Sequence, residues 1–389
     1  MSNDFRTYLM ADASSGSPHL ARWSCRRIGC LIASFPCALV SLFLIFVTVL
    51  SPPAPPSRPV EPLPDDFLKG ISYESVGRGA FASADSDRTL EQIILPTGAN
   101  WIAVIIKCYQ ETRTSTEIDC QSGPLTSSDE ELRHVVARAH DLGLNVMLKP
   151  HIDLNQMENS LEGRFNIGFG DDEAAWDAWF ESYGEVVTHY ARLAQAWGVG
   201  YFVVGTELAG TVHREDDWRN LIRQVREVYD GPLTYAALTY FEPLQIKWWD
   251  ALDAIGIDAY YAISLTPNPT VEQMKLMWRP LIAYIGWLAD RWAKPVIITE
   301  AGYMSVDGAT VLPGDWSMQA EIDLQEQADA YRALFESFYG QPWWQGIFWW
   351  SQYTDPQRGG RYDRGYSFHG KPAADVLRQY FRGHSEGGN

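Results

Sequence analysis

Residues 201–207 have the sequence YFVVGTE, and residues 296–300 have the sequence VIITE. Each is a short apolar, largely β-branched run that ends in a carboxylate. This pattern is typical of a strand that is buried on both faces and carries a polar residue at its carboxyl end. Similar short apolar runs occur elsewhere along the chain, separated by longer amphipathic stretches. The sequence therefore predicts buried parallel strands that alternate with helices.

Eight strands and five clear helices can be assigned in this way. The predicted strands are Gly70–Glu74, Trp101–Tyr109, Asn145–His151, Tyr201–Glu207, Leu233–Leu238, Ala254–Tyr260, Val296–Glu300 and Gly346–Trp350. The predicted helices are Asp129–Leu142, Glu173–Ala196, Asp217–Tyr229, Val271–Trp292 and Leu324–Tyr339. This order predicts an α/β protein with a single (β/α)8 TIM barrel over residues 66–384. An open doubly wound sheet is the alternative, but no G-x-G-x-x-G motif follows the first strand.

The chain before the barrel has a different character. Residues 28–50 contain no charged side chain and, as a helix, are long enough to span a bilayer. Arginines precede this run, so the positive-inside rule predicts that residues 1–27 are cytoplasmic and that the chain after Leu50 is outside. A cleaved signal peptide and a buried core helix are the alternatives, although no A-x-A-like cleavage site is visible near Leu50.

Two polar segments flank the predicted barrel. Residues 51–65 include seven prolines and predict a semi-rigid linker, and residues 385–389 form a polar tail. The expected protein is thus anchored in a membrane through residues 28–50 with its barrel outside the cytoplasm. If the segment is cleaved, the barrel is secreted instead.

Composition excludes several classes of function. The formal net charge is −18, and the arginines of residues 1–60 leave the barrel more acidic still, so nucleic-acid binding is excluded. The 16 tryptophans exceed what a core needs and suit a protein that stacks flat ligands. Metal motifs such as H-E-x-x-H and C-x-x-C are absent from the sequence, as is a nucleophile elbow, and we predict neither a metal nor a cofactor. No motif indicates an oligomeric partner.

Cys108 and Cys120 are the two cysteines of the predicted barrel. In an oxidising compartment they could form a disulfide, and two free thiols are the alternative.

The active site of a (β/α)8 barrel lies at the carboxyl ends of its strands. Glu207 and Glu300 end the fourth and seventh predicted strands, which face each other across the barrel mouth. Two such carboxyls can flank a glycosidic bond, where one protonates the leaving oxygen and the other attacks the anomeric carbon. The alternative is that one of them only pairs with Lys107 or Lys149 inside the barrel. Two carboxylates on opposed strands of a Trp-rich chain favour catalysis.

Other strand-end side chains are predicted to bind the substrate. Tyr260 is placed to donate a hydrogen bond to Glu300, and either Trp349 or Trp350 is expected to form the floor of a sugar subsite, since strand alternation turns only one of them inward. For Lys149 and His151 the alternative is an ion pair with Asp153 or Glu74. The predicted substrate-binding residues are Glu74, Lys107, Lys149, His151, Thr206, Tyr260, Trp349 and Trp350. Trp176 and Trp179, on an amphipathic helix, are assigned to core packing.

Several segments resemble glycoside hydrolase family 113, a family of clan A, over residues 66–384. They are GISYES, VMLKPHID, VVGTEL, GIDAYY, IITEAGY, GIFWWSQY and the helical motif W-x-x-W-F-x-S-Y, which runs from Trp176 to Tyr183. The resemblance implies a retaining enzyme in which Glu207 is the acid/base and Glu300 the nucleophile, with β-1,4-mannan as the typical substrate. The clan usually has Asn before the acid/base, where it contacts the sugar 2-hydroxyl, and here Thr206 takes its place. That hydroxyl is axial in mannose, so the change is compatible with mannan.

We therefore expect a glycoside hydrolase that cleaves a β-linked polysaccharide, with mannan as the first substrate by resemblance. The alternatives are hydrolysis of another β-glycan or cell-envelope polysaccharide, transglycosylation on the same chemistry, and a glycan-binding barrel without turnover. A pure binder has no need of two converging carboxylates, and the Glu207–Glu300 pair argues against it.

Overall fold

The computed structural model describes residues 63–159 and 162–382. Within them, eight parallel strands close a barrel in chain order, and the first strand pairs with the last. The strands are β1 (Leu68–Glu74), β2 (Trp101–Gln110), β3 (Asn145–Leu154), β4 (Tyr201–Thr206), β5 (Leu233–Leu238), β6 (Ile255–Asp258), β7 (Val296–Ala301) and β8 (Trp344–Tyr353). The predicted barrel and all eight predicted strands are confirmed, with differences of a few residues at the strand ends.

Every strand is followed by an α-helix before the next strand or the end of the described chain. The helices are α1 (Ala84–Thr89), α2 (Asp129–Asp141), α3 (Glu173–Trp197), α4 (Glu215–Arg226), α5 (Glu242–Gln245), α6 (Val271–Trp292), α7 (Leu324–Phe338) and α8 (Ala373–Arg382). Three of these helices were not predicted from the sequence: α1 and α5, which are short, and α8. The last had a usable signal, because its buried residues recur with helical spacing as Val376, Leu377, Tyr380 and Phe381.

Local sequence fixes where the helices begin. Ser128 and Glu131 form a capping box at the start of α2, in which each side chain bonds to the other's backbone N–H. Thr270 and Gln273 form the same motif at the start of α6. Both helices therefore begin where sequence analysis placed them.

The apolar core has two layers, as expected of a barrel wrapped in helices. The inner layer fills the barrel and includes Leu68, Ala103, Ile105, Met147, Tyr201, Val203, Ala236, Ala254, Ile297 and Phe348. Phe348 occupies the space beside Gly70. A Cβ atom on residue 70 would lie 2.2 Å from the Phe348 ring, so only glycine fits there. The outer layer lies between strands and helices and contains Trp179. Trp176, on the same helix, is buried as well, so both tryptophans are buried as predicted.

The segment after β2 folds back on the strand that precedes it. Tyr109 and Asp119 exchange two backbone hydrogen bonds of 2.7 Å, and Cys108 forms a disulfide with Cys120. Of the two states left open by the sequence, the structure has the disulfide.

Removing this disulfide is expected to destabilise the barrel without changing its fold. A loop that spans 12 residues contributes about 3 kcal/mol when it is closed by a disulfide. We expect the Cys108→Ala/Cys120→Ala variant to lose about that much free energy of unfolding in a denaturant titration. A reductant should lower the midpoint of the native chain and leave that of the variant unchanged. An equal response of both proteins to the reductant would contradict the assignment.

The predicted segments at residues 1–27 and 28–50, the tail, and most of the predicted linker lie outside the described residues. Across residues 63–159 and 162–382, we find no helix whose length and hydropathy would let it cross a bilayer. Leu63, which falls in the predicted linker, is buried, and its N–H donates to the Tyr380 carbonyl of α8.

Candidate active site

Glu300, near the carboxyl end of β7, is held by side chains from two other elements. Lys149 of β3 donates to Oε1 at 2.5 Å, and the Tyr260 hydroxyl donates to Oε2 at 2.7 Å. His151, two residues after Lys149, places Nε2 3.5 Å from Oε1. The predicted bond from Tyr260 is present, and each carboxylate oxygen of Glu300 is fixed in position.

These neighbours keep Glu300 ionised. Burial alone would raise the pKa of Glu300, but Lys149 and His151 outweigh it and hold that pKa well below its ordinary value. Lys149 is itself held in position by Asp258, because it donates to both oxygens of that carboxylate at 2.9 and 3.1 Å. An ionised carboxylate held in one orientation is what a nucleophile at this position needs.

Glu207 directly follows β4 with its backbone in the left-handed region, at φ 54°. For a residue other than glycine this conformation costs about 1–2 kcal/mol, so the surroundings must hold it. Its N–H donates to the Ala236 carbonyl at 2.8 Å, and the next N–H, of Leu208, donates to the Tyr235 hydroxyl at 2.7 Å. Tyr235 donates in turn to Glu242. These hydrogen bonds hold the backbone at Glu207 and Leu208 in place.

The electrostatics of Glu207 are opposite to those of Glu300. Burial raises the pKa of Glu207 above its ordinary value, Arg164 opposes this, and the charge of Glu300 adds to the increase. Glu207 thus keeps its proton to a higher pH than an ordinary glutamate while Glu300 loses its proton. Two carboxyls with pKa values moved apart in this way can serve as acid and nucleophile.

A chain of alternating charges runs along the mouth from β1 to Glu207. Lys107 lies 3.8 Å from Glu74 and 3.4 Å from Asp153, and Arg164 bonds to Asp153 and lies 3.5 Å from Glu207. Burial would raise the pKa of Asp153, but Arg164 and Lys107 hold it well below its ordinary value.

The aromatic wall of the mouth comes from β8. The Trp350 ring stacks on His151 with the ring centroids 5.9 Å apart and the planes 5° from parallel. Trp349 points to the other side of the sheet, where it is fully buried and stacks on Tyr331 of α7. Trp350 is therefore the residue that faces inward, and Trp349 belongs to the outer core, so its predicted place at a sugar subsite is wrong.

The family model for Glycoside Hydrolase Family 113 matches residues 71–371. The chain belongs to glycoside hydrolase family 113. The resemblance seen in the sequence is confirmed, and the chain is a glycoside hydrolase.

Solved structures agree with this family 113 assignment. A structure described as a complex of a GH113 β-1,4-mannanase is 31% identical and covers 82% of this chain and 100% of its own, with a TM-score of 0.74. A GH113 β-mannanase from Alicyclobacillus acidocaldarius in complex with ManMIm is 29% identical and covers 81% and 97%, with a TM-score of 0.72. A Faecalibacterium prausnitzii β-glucuronidase, 17% identical with a TM-score of 0.51, covers 81% and 49% and shares the fold. None of the curated proteins compared with the chain matches it.

Two further residues predicted to bind sugar lie below the accessible mouth of this family 113 barrel. Lys149 has no exposed surface and pairs with Asp258 and Glu300, not with the Asp153 or Glu74 named as alternatives. Thr206 is buried and donates its hydroxyl to the Pro150 carbonyl at 3.0 Å. We therefore correct both assignments: Lys149 contacts Glu300, and Thr206 supports the strand before Glu207.

Two residues of the site, Asp258 and Arg164, were not predicted from the sequence. Asp258 ends β6 inside the GIDAYY segment, so its place at a strand end was a usable signal. Arg164 lies in a helical turn after β3, Arg164–Asn166, and nothing in the local pattern sets it apart from a surface arginine. Its importance follows only from the tertiary contacts with Asp153, His151 and Glu207.

Three carboxyl groups lie close enough together to consider a metal ion, at Asp307, Asp323 and Glu326 in the region after β7. Glu326 already accepts hydrogen bonds from the N–H groups of Gly308 and Thr310, and Asp323 caps α7. These contacts explain the group as a structural support of the loop and of the helix start.

Proposed function

We propose that this family 113 enzyme hydrolyses β-1,4-mannan with retention of anomeric configuration, with Glu300 as nucleophile and Glu207 as acid/base. The observation that carries the proposal is the contrast between the two carboxyls. Glu300 is ionised and fixed by Lys149 and Tyr260, while Glu207 is buried and disposed to keep its proton. The choice of mannan is supported by the descriptions of the two family 113 relatives, which are about 30% identical to this chain.

The first step would form a covalent intermediate. A Glu300 carboxylate oxygen forms a bond to the anomeric carbon as the glycosidic C–O bond breaks, and the Glu207 proton passes to the departing oxygen. In the second step Glu207, now a carboxylate, accepts a proton from water, whose oxygen displaces Glu300 from the anomeric carbon. Each step inverts the configuration of the anomeric carbon once, so the product keeps the β configuration.

Other mouth residues supply the binding surface in this proposal. The half-buried Trp350 offers a ring face to a sugar. Glu74, which accepts from Ser351 at 2.7 Å, and Lys107 are placed to bind hydroxyl groups along the same wall. His151 and Tyr260 contact Glu300 and so border the sugar that it attacks.

The pH profile of kcat/KM is expected to be bell-shaped and wide. Activity needs Glu300 ionised, and because its pKa is depressed the acid limb should lie below the ordinary glutamate range. Activity also needs Glu207 protonated, and because its pKa is raised the alkaline limb should lie above that range. Initial rates on a manno-oligosaccharide across pH give both limbs. An alkaline limb that falls at the ordinary pKa of a glutamate would contradict the assignment of Glu207 as the acid.

Substrate choice is tested by product analysis with the full-length chain. Oligosaccharides of β-1,4-mannan, β-1,4-glucan and β-1,4-xylan are incubated with the enzyme and with Glu300→Gln, and the products are separated by chromatography. We expect cleavage of the mannan series that the variant lacks. Cleavage confined to glucan or xylan would overturn the substrate, and longer products from the mannan series would indicate transglycosylation.

The location of the enzyme also stays a proposal, based on residues 28–50. We propose that this segment holds the barrel at the outer face of a membrane. External protease should degrade the barrel in intact cells, and protection of the barrel until the cells are lysed would contradict it.

A further inference from the structure

Arg164 contacts three members of the site through one guanidinium group. Nη1 lies 2.9 Å from Nδ1 of His151 and 3.5 Å from Oε2 of Glu207, and Nη2 bonds to Asp153. Only 14% of the Arg164 side chain is exposed. A planar fork of donors can satisfy several acceptors at once, which a lysine ammonium cannot do with the same geometry.

The segment that carries Arg164 is docked on the loop after β4. The Gly210 N–H donates to the Phe165 carbonyl at 3.0 Å, and a Cβ atom at Gly210 would lie 2.2 Å from the Ile167 carbonyl oxygen. Because the same loop begins with Glu207, the position of Arg164 relative to that carboxyl is set by backbone contacts.

The bond to His151 decides which ring nitrogen carries the proton. A guanidinium only donates hydrogen bonds, so Nδ1 of His151 must accept. Burial and the charge of Arg164 lower the pKa of His151 well below its ordinary value, so the ring is neutral. A neutral imidazole that accepts at Nδ1 carries its proton at Nε2. This nitrogen faces Oε1 of Glu300 at 3.5 Å, and it makes no hydrogen bond in the described structure.

The geometry points to Arg164 as a positioning residue that acts on both carboxyls at once. Through His151 it directs the Nε2–H group at Glu300, and directly it places a positive charge beside Glu207. This inference rests on the proposed roles of Glu207 and Glu300. Arg164 contacts the Glu207 carboxyl, and no contact between Arg164 and the sugar is proposed.

Arg164 affects the two steps of the reaction differently. Glu207 has to be protonated in the first step and ionised in the second, and the charge of Arg164 favours the ionised form. Glu300, Lys149 and Asp153 also act on Glu207, and the buried carboxyls of Asp258 and Glu242 interact with it as well. Removing Arg164 should therefore slow the second step more than the first and move the alkaline limb of kcat/KM to higher pH.

The test combines a spectroscopic with a kinetic readout on the full-length chain. Protein labelled with 15N-histidine is compared as wild type, Arg164→Met and His151→Gln, the last to identify the His151 signals. We expect wild-type His151 to show a protonated Nε2 and an unprotonated Nδ1, and Arg164→Met to show a mixture of tautomers. On manno-oligosaccharides, Arg164→Met should lose about 10- to 100-fold in kcat, the range for loss of a charge-assisted hydrogen bond, with the alkaline limb shifted upward.

Arg113→Met is the matched control. Arg113 pairs with Glu162 at 2.9 Å in the same region but is not among the residues that contact Glu207 or His151. It should leave kcat, the pH profile and the His151 signals unchanged. If it reproduces the effects of Arg164→Met, the cause is a loosened loop and the inference fails.

Further outcomes would also overturn it. A wild-type His151 protonated at Nδ1 would contradict the inferred tautomer. This measurement does not need Arg164→Met, so it remains decisive even if that variant does not fold. An unchanged alkaline limb in Arg164→Met would overturn the inference as well. The spectrum requires no substrate, so the expected tautomer together with no cleavage of mannan would count against the proposed function and not against the placement of the His151 proton.

Discussion

Glu300→Gln is expected to lower kcat on manno-oligosaccharides by roughly 10⁴-fold or more, the order of loss recorded when a covalent nucleophile is removed. The amide has nearly the same shape as the carboxylate, but it is neutral and a poor nucleophile, so no glycosyl intermediate forms. Lys149 keeps its bonds to Asp258, and the variant should therefore remain folded. Steady-state kinetics together with thermal unfolding measure both parts of this expectation.

Glu336→Gln provides the matched control for this substitution. Glu336 lies on α7 and pairs with Lys275 of α6 at 2.7 Å, remote from the barrel mouth. Its variant should retain full activity. If Glu300→Gln keeps more than about a tenth of wild-type kcat while folded, Glu300 is not the nucleophile, since that loss is far smaller than a missing nucleophile produces.

Glu207→Ala is expected to have an effect that depends on the leaving group. A sugar leaving group needs a proton from Glu207, and its release should slow by about 10²- to 10⁴-fold. A dinitrophenolate leaves without protonation, so the first step on a dinitrophenyl β-mannoside should be nearly unaffected. The second step still needs a base, and a burst of dinitrophenolate followed by slow turnover is expected.

Azide gives an independent check on the same variant. Without the Glu207 carboxylate, a small anion can approach the intermediate and displace Glu300 without losing a proton. Addition of azide should speed turnover of the dinitrophenyl substrate and yield a β-mannosyl azide. Equal losses on good and poor leaving groups, with no response to azide, would count against the acid/base role of Glu207.

The barrel could be predicted because its signals are local. Each strand is a short apolar run, and polar residues at the strand ends are brought to one rim by the parallel order. Glu207, Glu300 and Tyr260 could be found for that reason, since the position of each at a strand end determines where its side chain lies. The caps of α2 and α6 are likewise local motifs.

What the sequence did not predict depends on tertiary contacts. Strand alternation limits Trp349 and Trp350 to one inward residue, but only the register of β8 in the closed barrel shows that it is Trp350. Lys149 was expected to bind the sugar, with an ion pair to Asp153 or Glu74 as the alternative. Its burial follows from bonds to Asp258 and Glu300 on two other strands. Arg164 becomes part of the site only because its segment docks on the loop after β4.

If Glu300 forms a covalent intermediate, the products of cleavage retain the β configuration. The most direct measurement is proton NMR of the anomeric signals while the full-length enzyme cleaves mannopentaose. We expect the new reducing ends to appear first as the β anomer and the α anomer to grow in later through mutarotation. Glu300→Gln should give neither signal. Initial appearance of the α anomer would rule out the covalent intermediate, because inversion requires one direct displacement by water.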